Sequence, residues 1–155
     1  MDKLIYLVII PVLVYITVRL IDKHYTVGGS RLLLAAACVL FGASIFLPSP
    51  VIDGESTEFL THVFGGGVFT GLLWLYFHSH IKTRPWRVEL LTLFALVSSL
   101  GVINELFELV MHVLGFNPKS IADTSWDLLA NTVGVFLFYA TYRLIKYFKP
   151  LFLQR

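Results

Sequence analysis

The sequence predicts an all-α fold: a polytopic membrane bundle of five transmembrane helices, amino terminus outside and carboxy terminus cytoplasmic. Three observations carry that prediction. Of 155 residues, 57% are hydrophobic and only 14% charged, against about 45–50% and about 25% in soluble domains. Five apolar segments approach the roughly 17–25 residues that a spanning helix needs. Lys and Arg fall almost wholly on one side once those segments alternate across a bilayer. A mean hydropathy of +0.78 cannot be hidden in one water-soluble core, because a chain this short still exposes much of its surface. An ordinary cytosolic enzyme, a disordered chain and a disulfide-stapled module are therefore excluded. The net charge of +2 is too weak a bias to suggest nucleic acid as a partner. The single cysteine, Cys38, allows no internal disulfide and reads as a small packed hydrophobe.

The whole chain, residues 1–155, reads as one integral membrane domain with spans at about 4–21, 32–47, 59–77, 88–114 and 126–148. The first carries Pro11, which would kink the helix or be tolerated. It lacks the basic start and small-residue cleavage site of a signal peptide and reads as a retained helix. The second span is short. Turn chemistry separates the segments: Thr26-Val-Gly-Gly-Ser30, Pro48-Ser-Pro50, Lys82-Thr-Arg-Pro85 and Gly115-Phe-Asn-Pro118. Arg19, Lys23 and Arg31 flank the first connection; Lys82, Arg84 and Arg87 flank the third. Arg143, Lys146, Lys149 and Arg155 close the chain, leaving only Lys3 and Lys119 for the other side. Cytoplasmic loops attract Lys and Arg, which sets the orientation.

Gly65, Gly66, Gly67 and Gly71 mark the third span as a close-packing face, with a bare-backbone ligand contact as the rival reading. Tyr15, Trp74, Tyr76, Trp86, Trp126 and Tyr147 fall near span ends and read as interfacial belt residues. His24, His78 and His80 lie at the cytoplasmic edge and read as solvated.

Function is sought where ionisable groups lie at membrane depth, at a cost of about 2.5–3.5 kcal/mol each near the centre. On the fourth span, Glu105, Glu108 and His112 fall within about 60° of one another, on a stripe about 10 Å long. Such a stripe must face the bundle. On the fifth, Asp123, Asp127 and Asn131 recur at i, i+4, i+8. Glu58 and His62 stand i, i+4 at the start of the third. Alternation brings His62, Glu108, His112, Asp123 and Asp127 to one depth in the outer half, beneath a loop carrying Asp53 and Glu55. The cytoplasmic half shows no counterpart in the sequence.

Carboxylates crowded in low dielectric need a cation, a histidine partner or shared protons. A divalent metal such as Zn is one solution, with Glu105, Glu108, His112, His62 and Asp127 as its ligands. A proton-sharing network around a polar ligand is a second, with Asp123, Asn131 and Glu58 lining the pocket. A purely structural use is the third, in which Asp123 caps the fifth helix and Asn131 bonds between helices. No serine-nucleophile, phosphate-loop or dinucleotide motif is present.

A histidine opening a glycine-rich span (His62, Gly65 to Gly67), a Glu-bearing helix (Glu105, Glu108) and Asp123-Thr-Ser-Trp-Asp-Leu-Leu-Ala-Asn-Thr-Val-Gly134 together resemble the VanZ-like family of small bacterial membrane proteins. The likeness covers roughly residues 58–140, and its matching positions are His62, Glu105, Asp127 and Asn131. Glu108 stands where that family often has Gln, and only Lys119 is near its usual Arg. Trp126-Asp127 also fits a related group of bacterial membrane proteins with two glutamates on the penultimate helix. The resemblance implies a cell-surface role in tolerance to lipoglycopeptide antibiotics, with an envelope lipid or glycopeptide-type molecule as ligand.

The expectation is a cell-membrane protein that binds or modifies an envelope lipid, glycan precursor or lipophilic drug. If it is an enzyme, the simplest chemistry is metal-assisted hydrolysis or transfer, with Glu105 or Glu108 as general base and His112 or His62 as ligand or acid. One alternative is a non-enzymatic assembly subunit, as an oligomer or beside a membrane partner chain. Another is a small ion or proton carrier, against which the lack of acidic residues in the inner half counts.

Overall fold

The computed structural model describes the backbone of residues 5–25, 29–52, 55–78, 85–115 and 121–153. Five helical rods account for nearly all of it. Helix α1 is a π-helical stretch, Ile5–Ile9, continuing as α-helix Ile10–Tyr25; α2 is Arg31–Ser44. Helix α3 runs Phe59–His78 with a π-helical stretch, His62–Val68, inside it. Helix α4 is Trp86–Val113 and α5 is Ile121–Leu153. The one sheet among the described residues is a two-residue antiparallel ladder, Val51–Ile52 with Glu55–Ser56, in the α2–α3 connection. The all-α expectation holds, and each rod overlies a segment expected from the sequence.

Three of the rods, Phe59–His78, Trp86–Val113 and Thr124–Phe148 within α5, are long and apolar enough to cross a membrane; Arg31–Ser44 is a shorter apolar helix. Large apolar side chains stand fully outward along α4, among them Leu91, Ile103, Phe107 and Val113. A continuous apolar exterior of this kind is unfavourable in water and matches a lipid solvent.

Helix α3 is central. Its lower half packs on α1 and α2 through Val18, Leu34, Cys38 and Tyr76, and on α4 and α5 through Trp74, Leu93, Val97, Val135 and Phe138. Its glycines permit the closest approach. A Cβ on Gly67 would lie 2.6 Å from the Gly134 Cα, so here the α3 and α5 backbones touch. That is the small-residue packing expected of membrane helices, where attraction comes from dispersion contacts between close backbones. The glycine run thus serves packing. Trp74 and Tyr76, expected at an interfacial belt, are instead core residues: Tyr76 is fully buried, its hydroxyl between Arg19 and Asp22 of α1. Their place is set by the α3 face they occupy, not by their nearness to a span end.

Candidate functional site

Close packing of α3, α4 and α5 brings polar side chains together at one end of the bundle. Asp127, in the second turn of α5, is completely buried. From α3, His62 Nε2 stands 3.1 Å from Asp127 Oδ1. From α4, Glu105 and Glu108 arrive one turn apart. One carboxylate oxygen from each of Glu105, Glu108 and Asp127 lies within 4.8 Å of the other two. Glu105 is only 8% exposed, whereas Glu108 is half-buried and accepts a 2.9 Å hydrogen bond from the Asn104 side-chain amide. Phe59 and Trp126 meet edge to face beside His62 and Asp127, with ring centroids 6.4 Å apart.

Asn131 lies one turn from Asp127 along α5, 95% buried, and its Oδ1 has no hydrogen-bond partner. It fits because two glycines leave room for it. A Cβ on Gly66 would collide with Oδ1, and one on Gly101 would come within 3.1 Å of Nδ2. The Asn131 amide is thus wedged between α3 and α4, one helical turn along α5 from Asp127. Burying an amide oxygen without a partner costs on the order of 1–3 kcal/mol.

The other expected site residues fall around this group. His112 is exposed in the last turn of α4, about 10 Å along the axis from Glu105, outside the carboxylate group. Glu58 is exposed just before α3, in the left-handed region at φ 49°, with its carbonyl accepting the His62 amide at 3.1 Å. The backbone of Asp123 lies in the first turn of α5, past the capping position, because the helix already begins at Ile121. The Asp123 side chain, Asp53 and the Glu55 side chain lie outside the described residues.

Three carboxylate oxygens, mutually within 4.8 Å, always admit a point within about 2.8 Å of all three by plane geometry. Calcium–oxygen bonds are about 2.3–2.6 Å and zinc–oxygen bonds about 2.0–2.2 Å. Closing that difference takes sub-ångström side-chain movement. An all-oxygen donor set with one histidine at its edge fits a divalent cation in charge and in size.

The opposite end of the same three-helix seam corrects the sequence reading. Glu89, in the first turn of α4, is 2% exposed, and His78 and Tyr139 around it are also buried. His78, expected to be solvated, packs flat on Trp74 at 4.2 Å and faces Glu89 Oε1 at 3.3 Å. His24 is exposed, as expected, and His80 lies outside the described residues. The end of the bundle that the sequence reading left without acids therefore does hold a buried one. Nothing in the spacing along α4 marks Glu89. Its partners come from the last residue of α3 and the middle of α5, and only the packing joins them.

The chain matches no family model, no curated protein and no solved structure, so the site rests on its geometry and on the motif residues themselves.

Proposed function

We propose that this is a five-span protein of the cell membrane, amino terminus outside. Its carboxylate chamber in the outer half holds a divalent cation and acts on the polar head of an envelope lipid, glycan precursor or lipophilic drug. One observation carries the reading: acidic oxygens from two helices converge within 4.8 Å, beside a histidine supplied by a third. Three ionised groups so close repel unless a cation or protons neutralise them. At membrane depth that neutralisation cannot come from bulk water. The Asn131 Oδ1 adds a neutral acceptor one helical turn from Asp127, a further oxygen that a hard cation or a ligand hydroxyl can use. The VanZ-like resemblance, with its cell-surface role, points to the same side of the membrane.

The bound cation would supply Lewis acidity. Of the residues here, Asp127 and Glu105 are buried and suited to holding it. Glu108 is half-exposed and can meet a ligand entering from lipid. Metal analysis and equilibrium dialysis of the purified protein test this. About one equivalent of divalent cation is expected, with affinity at least tenfold weaker in Glu105→Gln and Asp127→Asn and unchanged in Glu58→Gln. Stoichiometric metal indifferent to both substitutions overturns the assignment.

A second reading, assembly with another membrane chain, is favoured by Asn104. Its amide is exposed on the apolar exterior of α4 beside Glu108. An exposed amide on an apolar face is what interhelical hydrogen bonding would cover. A stable copurifying chain whose binding is lost in Asn104→Leu would support it.

A further inference from the structure

We propose that α1 and α2 bind one anionic phospholipid, a hydrocarbon chain lying in the groove between them and the phosphate resting at the basic end of that groove. These two helices alone build the site, which is separate from the carboxylate chamber.

The groove has a volume of about 310 Å³ and an almost wholly apolar lining. That places it at the lower end of ligand sites, about 300–1,000 Å³. Residue size explains why it exists. At one end the helices touch, because a Cβ on Gly42 would lie 2.8 Å from the Leu7 carbonyl oxygen. At the other, Val18, Leu34 and Tyr76 pack together. Between these contacts α2 offers Ala35 and Cys38, on the same face as Gly42 at i, i+3 and i+7, and α1 offers Pro11. Such short side chains leave a gap, and its walls, Val12 and Val39, are exposed to the exterior. An apolar hollow gives water too few polar partners to hold it. A hydrocarbon chain is the occupant it accepts.

Charge says which lipid. Along α1 the lining residues Leu7, Pro11 and Tyr15 recur every fourth residue, and the next members of that ridge are Arg19 and Lys23. Along α2 the lining residues Val39 and Ala35 lead, one turn further, to Arg31. Residues four apart are neighbours on a helix surface. The Gly42–Leu7 and Val18–Leu34 contacts make the two helices antiparallel, so both ridges turn from apolar to basic at the same end. Arg19 engages Asp22 and the Tyr76 hydroxyl, while Lys23 and Arg31 are exposed. The first-turn amides of α2 receive no hydrogen bond from the Ser30 side chain, and a helix N-terminus with open amides attracts phosphate. Arg19 stands about 18 Å along the axis from Leu7, close to one leaflet of a hydrocarbon core about 30 Å thick. A chain whose phosphate sits by Lys23 and Arg31 therefore ends near the closure at Gly42. Groove and basic end are joined by the polypeptide itself, so the pairing holds whichever way the protein is inserted.

Native mass spectrometry tests this on the full-length protein released from vesicles of phosphatidylglycerol and phosphatidylcholine with identical chains. One retained phosphatidylglycerol per chain is expected, in at least fivefold excess over phosphatidylcholine. The excess should vanish when Lys23→Gln and Arg31→Gln are combined, and persist when Arg143→Gln and Lys146→Gln are combined on α5. Ala35→Trp, which fills the groove, should lose both lipids. Retention indifferent to either set of groove changes overturns the proposal, as does a lipid-free dimer in which a second copy covers the groove. Because Ala35→Trp can fail to fold, Cys38 supplies a readout without substitution: it lines the groove and is the single cysteine. In detergent, its labelling by a small uncharged thiol reagent should slow several-fold when phosphatidylglycerol is added, and much less with phosphatidylcholine. Equal rates with the two lipids refute an anionic ligand.

Discussion

Asp127 has no exposed surface and is reached by His62 from the neighbouring helix, so altering it without replacement is costly. Asp127→Leu would remove the carboxylate that faces the His62 imidazole and one of the three converging acids. A loss of about 2–4 kcal/mol is expected in detergent-phase unfolding, since breaking a buried pair from one side is more damaging than removing both members. The double change His62→Leu with Asp127→Leu should cost less than the sum of the singles, a coupling that a double-mutant cycle measures. A milder case is Tyr76→Phe. It deletes one buried hydroxyl between Arg19 and Asp22, and about 1 kcal/mol should be lost. Residues of the carboxylate group were legible in the sequence because charge inside an apolar run is itself a signal. Glu89 gave no such signal, lying at a span end beside Arg87 where a solvated acid is ordinary.

Among the elements, α3 does most to position both polar ends, and its glycines differ in what they face. At Gly65 a new methyl would meet the Ser44 hydroxyl, a side-chain end that can rotate; at Gly67 it would meet the backbone of Gly134. Gly67→Ala should therefore separate α3 from α5 and lower stability by about 1–3 kcal/mol, whereas Gly65→Ala should cost clearly less. Thermal unfolding of the two variants side by side checks the order. The fifth rod was missed by five residues at each end, but helix limits were readable to within about four residues for the first four, which turn chemistry separates. The π-helical stretch His62–Val68 was not, since glycines at that place signal packing without saying how many residues each turn holds. Aromatic positions misled for a related reason: Trp74 and Tyr76 sit near a span end, where proximity to the interface and burial against neighbours compete. Burial won on this helix because α3 is surrounded.

At the scale of the whole molecule, the apolar exterior and the one-sided distribution of Lys and Arg make a topological prediction. Cysteine-accessibility labelling on intact cells should modify a cysteine placed at Lys119 from outside. One placed at Lys82 should react only after the membrane is breached. Reversal of that pattern would put the carboxylate chamber on the cytoplasmic side. Sequence showed that the polar residues lie on separate rods at comparable depth; which of them meet depended on rotation about each rod's own axis, a quantity that hydropathy does not contain. The π-helical stretch fixes that rotation for His62. An α-helix advances about 100° per residue, so excising one codon between Gly65 and Gly67 would tighten the wide turn and swing His62 about a quarter-circle away from Asp127. Such a lesion would spare every charged group and most of the rod, yet dismantle the chamber. A frame-preserving deletion is a quieter way to silence this protein than any exchange of its acids.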